Sequence, residues 1–527
     1  MLPGAPGDEM CTLGHFYHRL CDRYSDRVAV RTPNRTLTYA ALEDRAAKLA
    51  SAFQSMGLGT GDRIAILMQN RPEFIITEIA ASRAGIVIFP LNCKLSDDDI
   101  EYTIEDASIH TVVVGPRFFD TAIELRQEGT TLEHVIGIDR EKETPIGFHD
   151  YSELVRKADP TPPASHIDPT NPAFIYYTSG TTGDQKGTVH SHSAIVLNIY
   201  AHIHELEVNR GEEMALLTPL AHSASLFYKT GLVQGATIHL RQGFSPGEFR
   251  SLLKHERISW TYIIPTMISS LITSGGKDTD AASLDTIVYG SAPIPPAQLQ
   301  RGIDLFGDVF VQFYGLVEIP NVVAVLPREY HDPNEQEWLR SAGVATQLAD
   351  FKILDPNHER LGDGDDVGEI AVQAPYQMSR YLNDPRRDEN DWIRTGDLGR
   401  IDDRGRLFIL DRIQDVIVTD DGVIYSCEVE NVIQRHPNVK QVAVIGTPAI
   451  DDYLPDVTPA NRLRIEQNIK AVVVRNGSHQ ITLDEIQHHC REHLPDYKIP
   501  SSVDTVGQLP ETAYGKTDKK SLRNPYW

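Results

Sequence analysis

The chain has 527 residues, 41% of them hydrophobic, and its 50 basic and 74 acidic side chains give a formal net charge of -24. A length beyond roughly 100–200 residues per domain predicts two or more folding units. The acidic excess argues against nucleic acid or an anionic membrane surface as a partner, since both want a basic face.

No apolar stretch approaches the roughly 18–20 residues that cross a bilayer, so no membrane span is expected. The N-terminus, MLPGAPGDEM, has no basic region followed by an apolar run, so no secretion signal is expected. The five cysteines are scattered, odd in number and without a CxxC pair. That pattern predicts a reducing, cytoplasmic setting without a disulfide framework or a cysteine zinc site.

Along the first 150 residues helical and strand patterns alternate. Leu42, Ala46, Leu49 and Phe53 recur at helical spacing. A buried strand is expected over 64–68, a helix over 72–84 and a second strand over 86–89. Such alternation predicts an α/β fold with a mainly parallel sheet. Residues 157–171 are rich in Pro, Asp and Ala and read as a connecting loop. A strand over 174–177 follows, and further α/β units run to about residue 340. From 350 to 410 short strands separated by turn residues predict a β-rich subdomain. After 411 a small α+β unit is expected, with strands over 441–445 and 470–474 and a helix over 483–494.

The strand over 174–177 delivers the segment YYTSGTTGDQKGTVHSH. Thr178, Ser179, Gly180, Thr181, Thr182 and Gly183 offer a run of backbone N–H groups, and four of the six carry a hydroxyl. The glycines let the backbone curl, and Lys186 adds a positive charge. Such a loop can wrap nucleotide phosphates. It is not a Walker A loop, which needs Gly directly before Lys and Ser or Thr after it. YTSGTTGDQKG resembles the signature loop of the adenylate-forming superfamily, which holds acyl-CoA synthetases, luciferases and peptide-synthetase adenylation domains. The family has Pro where this chain has Gln185. The likeness extends over nearly the whole chain, with motifs in the family's order, and is nearest to the acyl-CoA synthetases.

The resemblance assigns the remaining site. QFYGLVEIP resembles the segment whose Tyr, here Tyr314, stacks on adenine and whose Glu, here Glu318, binds magnesium; Gly315 lies between them. Val317 stands where the family has a Thr that contacts the α-phosphate, so one contact is expected to be missing. YGSAPI, with Ser291, Ala292 and Pro293, matches the loop bordering adenine and the acyl pocket. His222, in TPLAHSAS, matches a histidine near the substrate carboxylate. Asp397, in a TGD turn, is placed on the ribose hydroxyls, and Arg412 on a phosphate or the ribose. DRIQD resembles the hinge, with Gln414 at the pivot. LPETAYGKTDKKSL resembles the C-terminal loop with the catalytic lysine, here Lys516. Asp420 and Asp421 replace a Gly-Gly pair near the pantetheine channel. Outside the family pattern, Phe227, Tyr228 and Tyr262 are candidates for the acyl pocket, and His488, His489, Cys490 and His493 read as a surface histidine cluster.

What the resemblance implies is a large N-terminal domain over 1–410 for nucleotide and acid, a hinge over 411–415 and a small mobile C-terminal domain over 416–527 carrying Lys516. The implied activity is ATP-dependent acyl-CoA ligation with ATP (AMP), Mg2+ and coenzyme A. The alternatives are a ligase confined to one half-reaction, a carrier-protein acylating enzyme and a non-catalytic acyl-adenylate-binding protein. The expected partners are a small carboxylic acid, ATP and CoA; a homodimer, a partner ligase and a carrier protein stay open.

Overall fold

The computed structural model describes residues 12–139, 147–160, 166–178, 185–275, 281–355, 360–361, 366–384, 391–449, 462–463, 465–512 and 515–527. Two large sheets dominate. In an eight-stranded sheet the strands Pro172–Tyr177, Val87–Pro90, Arg63–Leu67, Thr111–Val114, His134–Gly137 and Phe148–Asp150 run parallel, with Gly187–Ser191 antiparallel beside the first. In a nine-stranded sheet the parallel run is Phe310–Tyr314, Thr286–Gly290, Trp260–Ile263, Glu213–Leu216, Thr237–Leu240 and Val28–Thr32. The fold is the α/β type expected from the alternating patterns.

Helices lie between these sheets. Every residue of the helix Pro72–Ala84 is buried, and so are nine consecutive residues, 224–232, of the helix Ala224–Val233. A helix buried on all sides has no solvent face to keep polar, which is why its sequence carries little amphipathic periodicity. One hydrophobic cluster takes Ile64, Ile88 and Phe174 from one sheet and Leu216, Trp260 and Val288 from the other. The two sheets therefore share one core.

The helix expected over 72–84 is observed at those bounds, with Pro72 in the first turn and Gly85 at φ 72 as the left-handed cap. Leu42, Ala46, Leu49 and Phe53 form the buried face of the helix Tyr39–Ser55. The β-rich subdomain is a four-stranded antiparallel sheet of Asp350–Leu354, Gly368–Gln373, Ile393–Ile401 and Leu407–Arg412. Beyond it, a three-stranded sheet of Val439–Pro448, Gln467–Arg475 and Ser502–Val506 packs with the helices Ser426–Ile433 and Leu483–Arg491. The two hydrophobic clusters of this region draw only on residues from Ile417 onward.

Several expected elements need correcting in extent: the strands expected over 64–68, 86–89, 174–177 and 441–445 run Arg63–Leu67, Val87–Pro90, Pro172–Tyr177 and Val439–Pro448. The helix expected to reach residue 494 stops at Arg491, although Leu494 still joins the core. The strand expected over 470–474 runs Gln467–Arg475, because it pairs along its length with Val439–Pro448. No helix among the described residues is long and apolar enough to cross a membrane.

Candidate active site

The carboxyl ends of parallel strands converge on one cleft, as in other open α/β sheets. Pro172–Tyr177 ends beside it, Thr286–Gly290 hands it Ser291, and Phe310–Tyr314 hands it Gly315, Leu316 and Val317. His222 and Ser223 enter from the segment after Glu213–Leu216. Lys516 comes from the far C-terminus and lines the same cleft. The space is about 960 Å³, its open mouth included. Phe89, Leu91, Ile175, Leu226 and Phe313 give it apolar walls, and Lys516 is the one charged residue among the described lining residues.

A tight loop holds Lys516. Its carbonyl accepts from Thr512 N–H at 2.8 Å, its N–H donates to Thr512 Oγ1 at 3.3 Å, and Glu511 bridges Thr517. Gly515 sits at φ +76, a conformation that L side chains rarely adopt. Burial first, and the Arg412 guanidinium second, push the Lys516 ammonium down to about 8 against the pull of Asp397. Burial, and then the Lys516 charge, push the His222 imidazole down to about 4, so it is neutral near pH 7. His222 Nδ1 and Ser223 Oγ are 3.1 Å apart.

Asp397 is the centre of a second group. Its Oδ2 accepts from the Tyr314 hydroxyl at 2.6 Å, and its Oδ1 pairs with Arg412 Nε at 2.6 Å. The two residues face each other across neighbouring antiparallel strands. Burial raises the Tyr314 phenol, and Asp397 raises it further. Burial opposes the Arg412 charge, but Asp397 and then Tyr314, Asp415 and Glu318 more than restore it.

Glu318 begins a third group. Its carboxylate accepts from the Tyr381 hydroxyl at 3.0 Å, and Lys186 Nζ lies 5.5 Å from the centre of the Tyr381 ring. Thr178 and Lys186 close the neck of the glycine–threonine loop: Thr178 N–H donates to the Lys186 carbonyl at 3.0 Å, and Lys186 N–H to Thr178 Oγ1 at 3.1 Å. Ser179, Gly180, Thr181, Thr182 and Gly183 lie outside the described residues.

This architecture carries a clear likeness. The AMP-binding enzyme family matches residues 17–382, and the AMP-binding enzyme C-terminal domain matches residues 460–516. The chain belongs to the AMP-binding enzyme family. It is 30% identical to a medium/long-chain-fatty-acid–CoA ligase of Mycobacterium tuberculosis, over 98% of this chain and 90% of the relative. It is 31% identical to a feruloyl-CoA synthase of an Amycolatopsis species, over 94% and 96%. The crystal structure of ATP-bound MatB from Rhodopseudomonas palustris superposes with a TM-score of 0.84 at 27% identity, covering 97% of this chain and 99% of that one. The activity is that of an ATP-dependent, AMP-forming acid–thiol ligase.

In this AMP-binding enzyme the residues singled out by motif do not all meet. Lys516, His222, Ser291, Gly315 and Val317 line one cleft, and Tyr314, Asp397 and Arg412 form one bonded group beside Lys516. Ala292 is half-buried, Pro293 is exposed, and neither is among the lining residues. Gln414 is away from the cleft lining, and its carbonyl accepts from the Arg462 guanidinium. Asp420 and Asp421 are exposed at the tip of the hairpin joining Ile417–Thr419 to Gly422–Ile424. Gln185 replaces the family's Pro with a strut, its Nε2 donating to Asp99 Oδ1 at 2.9 Å.

The expected acyl-pocket aromatics are core residues instead. Phe227 packs against Trp260, Tyr262 and Phe313, and Tyr262 reaches the site through a 2.8 Å contact with Ser291 Oγ. The walls come from Phe89, Leu91, Tyr176, Leu226 and Phe313, and Glu318 has Tyr381 as a partner. Dispersed apolar residues leave no local pattern, so none of these could have been found from the sequence.

Proposed function

We propose that the ligase activates an apolar monocarboxylic acid, aryl or medium-chain, and that Lys516 is its catalytic residue for adenylate formation. The observation that carries this reading is Lys516 standing in an apolar cleft as the one charged residue among its described lining residues. A single ammonium matches a single carboxylate. The apolar walls favour a chain or ring without a second charge, since burying one unpaired is costly. A dicarboxylic acid has no second cation to meet among those residues.

In the proposed first step a carboxylate oxygen attacks the α-phosphorus of ATP, and the bond from that phosphorus to pyrophosphate breaks. Lys516 bridges the attacking oxygen and the α-phosphate, stabilising the negative charge that builds there. Asp397 accepts the ribose hydroxyls, Arg412 holds Asp397 in place, and Tyr314 flanks the base. Thr178–Gly183 and Lys186 cradle the phosphates. Glu318 fits a hard cation, since it presents a carboxylate oriented by the Tyr381 hydroxyl; Mg2+ held there would offset the charge of the departing pyrophosphate. In the second step the CoA thiol attacks the acyl carbon and AMP leaves.

The domain division proposed is 1–410, a hinge over 411–415 and 416–527. The hydrophobic clusters that begin at Ile417 support it. Rotation at Gln414 would withdraw Lys516 and clear a path for the thiol.

Pyrophosphate release across acids tests the substrate class. Aryl and medium-chain monocarboxylates are expected to turn over, and short dicarboxylates to fail; the reverse order sinks the assignment. Lys516→Ala is expected to lower pyrophosphate release by roughly 10²–10³-fold while sparing the reaction of a supplied acyl-adenylate with CoA. Undiminished pyrophosphate release would remove Lys516 from the mechanism.

A further inference from the structure

The helix Leu483–Arg491 and the turn after it carry His489, Glu492 and His493, a His-x-x-Glu-His spacing that brings all three to one face. One ring nitrogen from each histidine and one Glu492 oxygen lie within 4.8 Å of one another. The two rings are 5.4 Å apart at 79°, edge to face, so neither covers the other.

His489 is already oriented. Its Nε2 donates to the Val432 carbonyl at 3.0 Å, which leaves Nδ1 with the free lone pair. Metal-binding histidines are ordinarily held by their second nitrogen in this way. His436 packs edge-on against His489 at 5.2 Å. Its own Nδ1 accepts from Asn438 N–H at 3.3 Å, so its Nε2 carries the proton and it acts as a neighbour. Among the described residues Glu492 has a competing contact in His488 Nε2 at 3.8 Å, between exposed groups, and such pairs are weak. Cys490 is buried in the core and outside the triad.

Two imidazoles and a carboxylate suit a borderline divalent ion such as Zn2+, whereas Mg2+ and Ca2+ prefer oxygen ligands alone. Zinc bonds of about 2.0–2.1 Å in a tetrahedron place ligand atoms about 3.3 Å apart. Small rotations of the exposed Glu492 and His493 side chains close that gap. We propose that His489, Glu492 and His493 form a surface site for one zinc-class divalent cation, completed by water. None of the three lines the ATP and acid cleft, so the site is separate from the ligase chemistry and staples the last turn of its helix.

The test is calorimetric titration of the EDTA-treated full chain with Zn2+ near neutral pH without nucleotide, with Co2+ absorption as a second reading. The wild type is expected to take one Zn2+ per chain with a micromolar dissociation constant. His489→Ala and His493→Ala are expected to weaken it by about tenfold or more with acyl-CoA formation unchanged; the metal-free melting curve is expected to stay unchanged in His493→Ala and to drop slightly in His489→Ala, which loses the bond to the Val432 carbonyl. His488→Ala is expected to bind like the wild type. Wild-type affinity in both triad variants, or no zinc binding below millimolar concentration, overturns the proposal.

Discussion

At the residue scale the role proposed for Lys516 ties the pH response to its charge. Burial and Arg412 bring its ammonium down to about 8, with Asp397 pulling the other way. The protonated form is the one that can stabilise a developing phosphorane. Pyrophosphate release is therefore predicted to be sustained below about pH 8 as far as Lys516 is concerned, and to fall as pH rises through that value. Lys516→Arg keeps a cation that does not titrate there. Its pH–rate profile is expected to lose the descending limb even where its rate is lower. The same limb in the Arg variant would assign it to another group. His222, neutral near pH 7, can accept a hydrogen bond or donate one without adding a second positive charge beside Lys516.

At the element scale the turn from Tyr314 to Glu318 shows how backbone packing fixes a site. A Cβ at Gly315 would stand 2.2 Å from the Asn321 carbonyl oxygen and 2.3 Å from its carbon. Both are backbone atoms, so neither can swing aside. Gly315→Ala is predicted to destabilise the protein by about 1–3 kcal/mol and to shift the group around Asp397, because Tyr314 is the adjacent residue. A lowered melting temperature together with a raised KM for ATP is the expected result, and a variant with wild-type values for both would show that the turn tolerates the shift. The strand pair behind the site has a similar logic. Asp397 and Arg412 face each other because Ile393–Ile401 and Leu407–Arg412 pair antiparallel with those residues in register. A slip of one residue would send the two side chains to opposite faces.

At the scale of the whole molecule the two large sheets are joined by a polar knot in an apolar core. Lys229 Nζ and Glu78 lie 2.7 Å apart, both fully buried. Lys229 also donates to the Ser225 carbonyl at 3.1 Å, and Tyr17 donates its hydroxyl to Glu78 at 3.3 Å. Burial pushes the Glu78 carboxyl up and the Lys229 ammonium down, and each partner draws the other back. Three helices, Leu13–Arg23, Pro72–Ala84 and Ala224–Val233, meet at this pair. Lys229→Met alone leaves a buried carboxylate without its cation and is predicted to cost about 3–5 kcal/mol. Adding Glu78→Leu should recover most of that loss, since a buried ion pair is commonly replaceable by apolar side chains of similar size. Thermal melts of the single and double variants check both statements; a double variant as unstable as the single would mean that the pair itself is stabilising.

The sequence by itself determined the α/β architecture, the shift to a β-rich unit near residue 350 and several motif residues that meet at or beside the cleft, His222, Ser291, Gly315 and Lys516 among them. Helices and strands follow from local periodicity. The proposed phosphate and ribose motifs are short contiguous stretches, Thr178–Lys186 and the TGD at Asp397, so a stretch of chain is enough to show them; the turn expected at Asp397 is instead part of the strand Ile393–Ile401. Only the tertiary structure decided the walls of the cleft, Tyr381 on Glu318, the Lys229–Glu78 pair and the meeting of Lys516 with Asp397 and Arg412. Phe227 and Tyr228 had the composition of pocket residues and turned out to be core, because which face of a helix meets a ligand depends on what packs against it. Those contacts join residues far apart in the chain, and their existence depends on how separate elements stack, which no local pattern encodes.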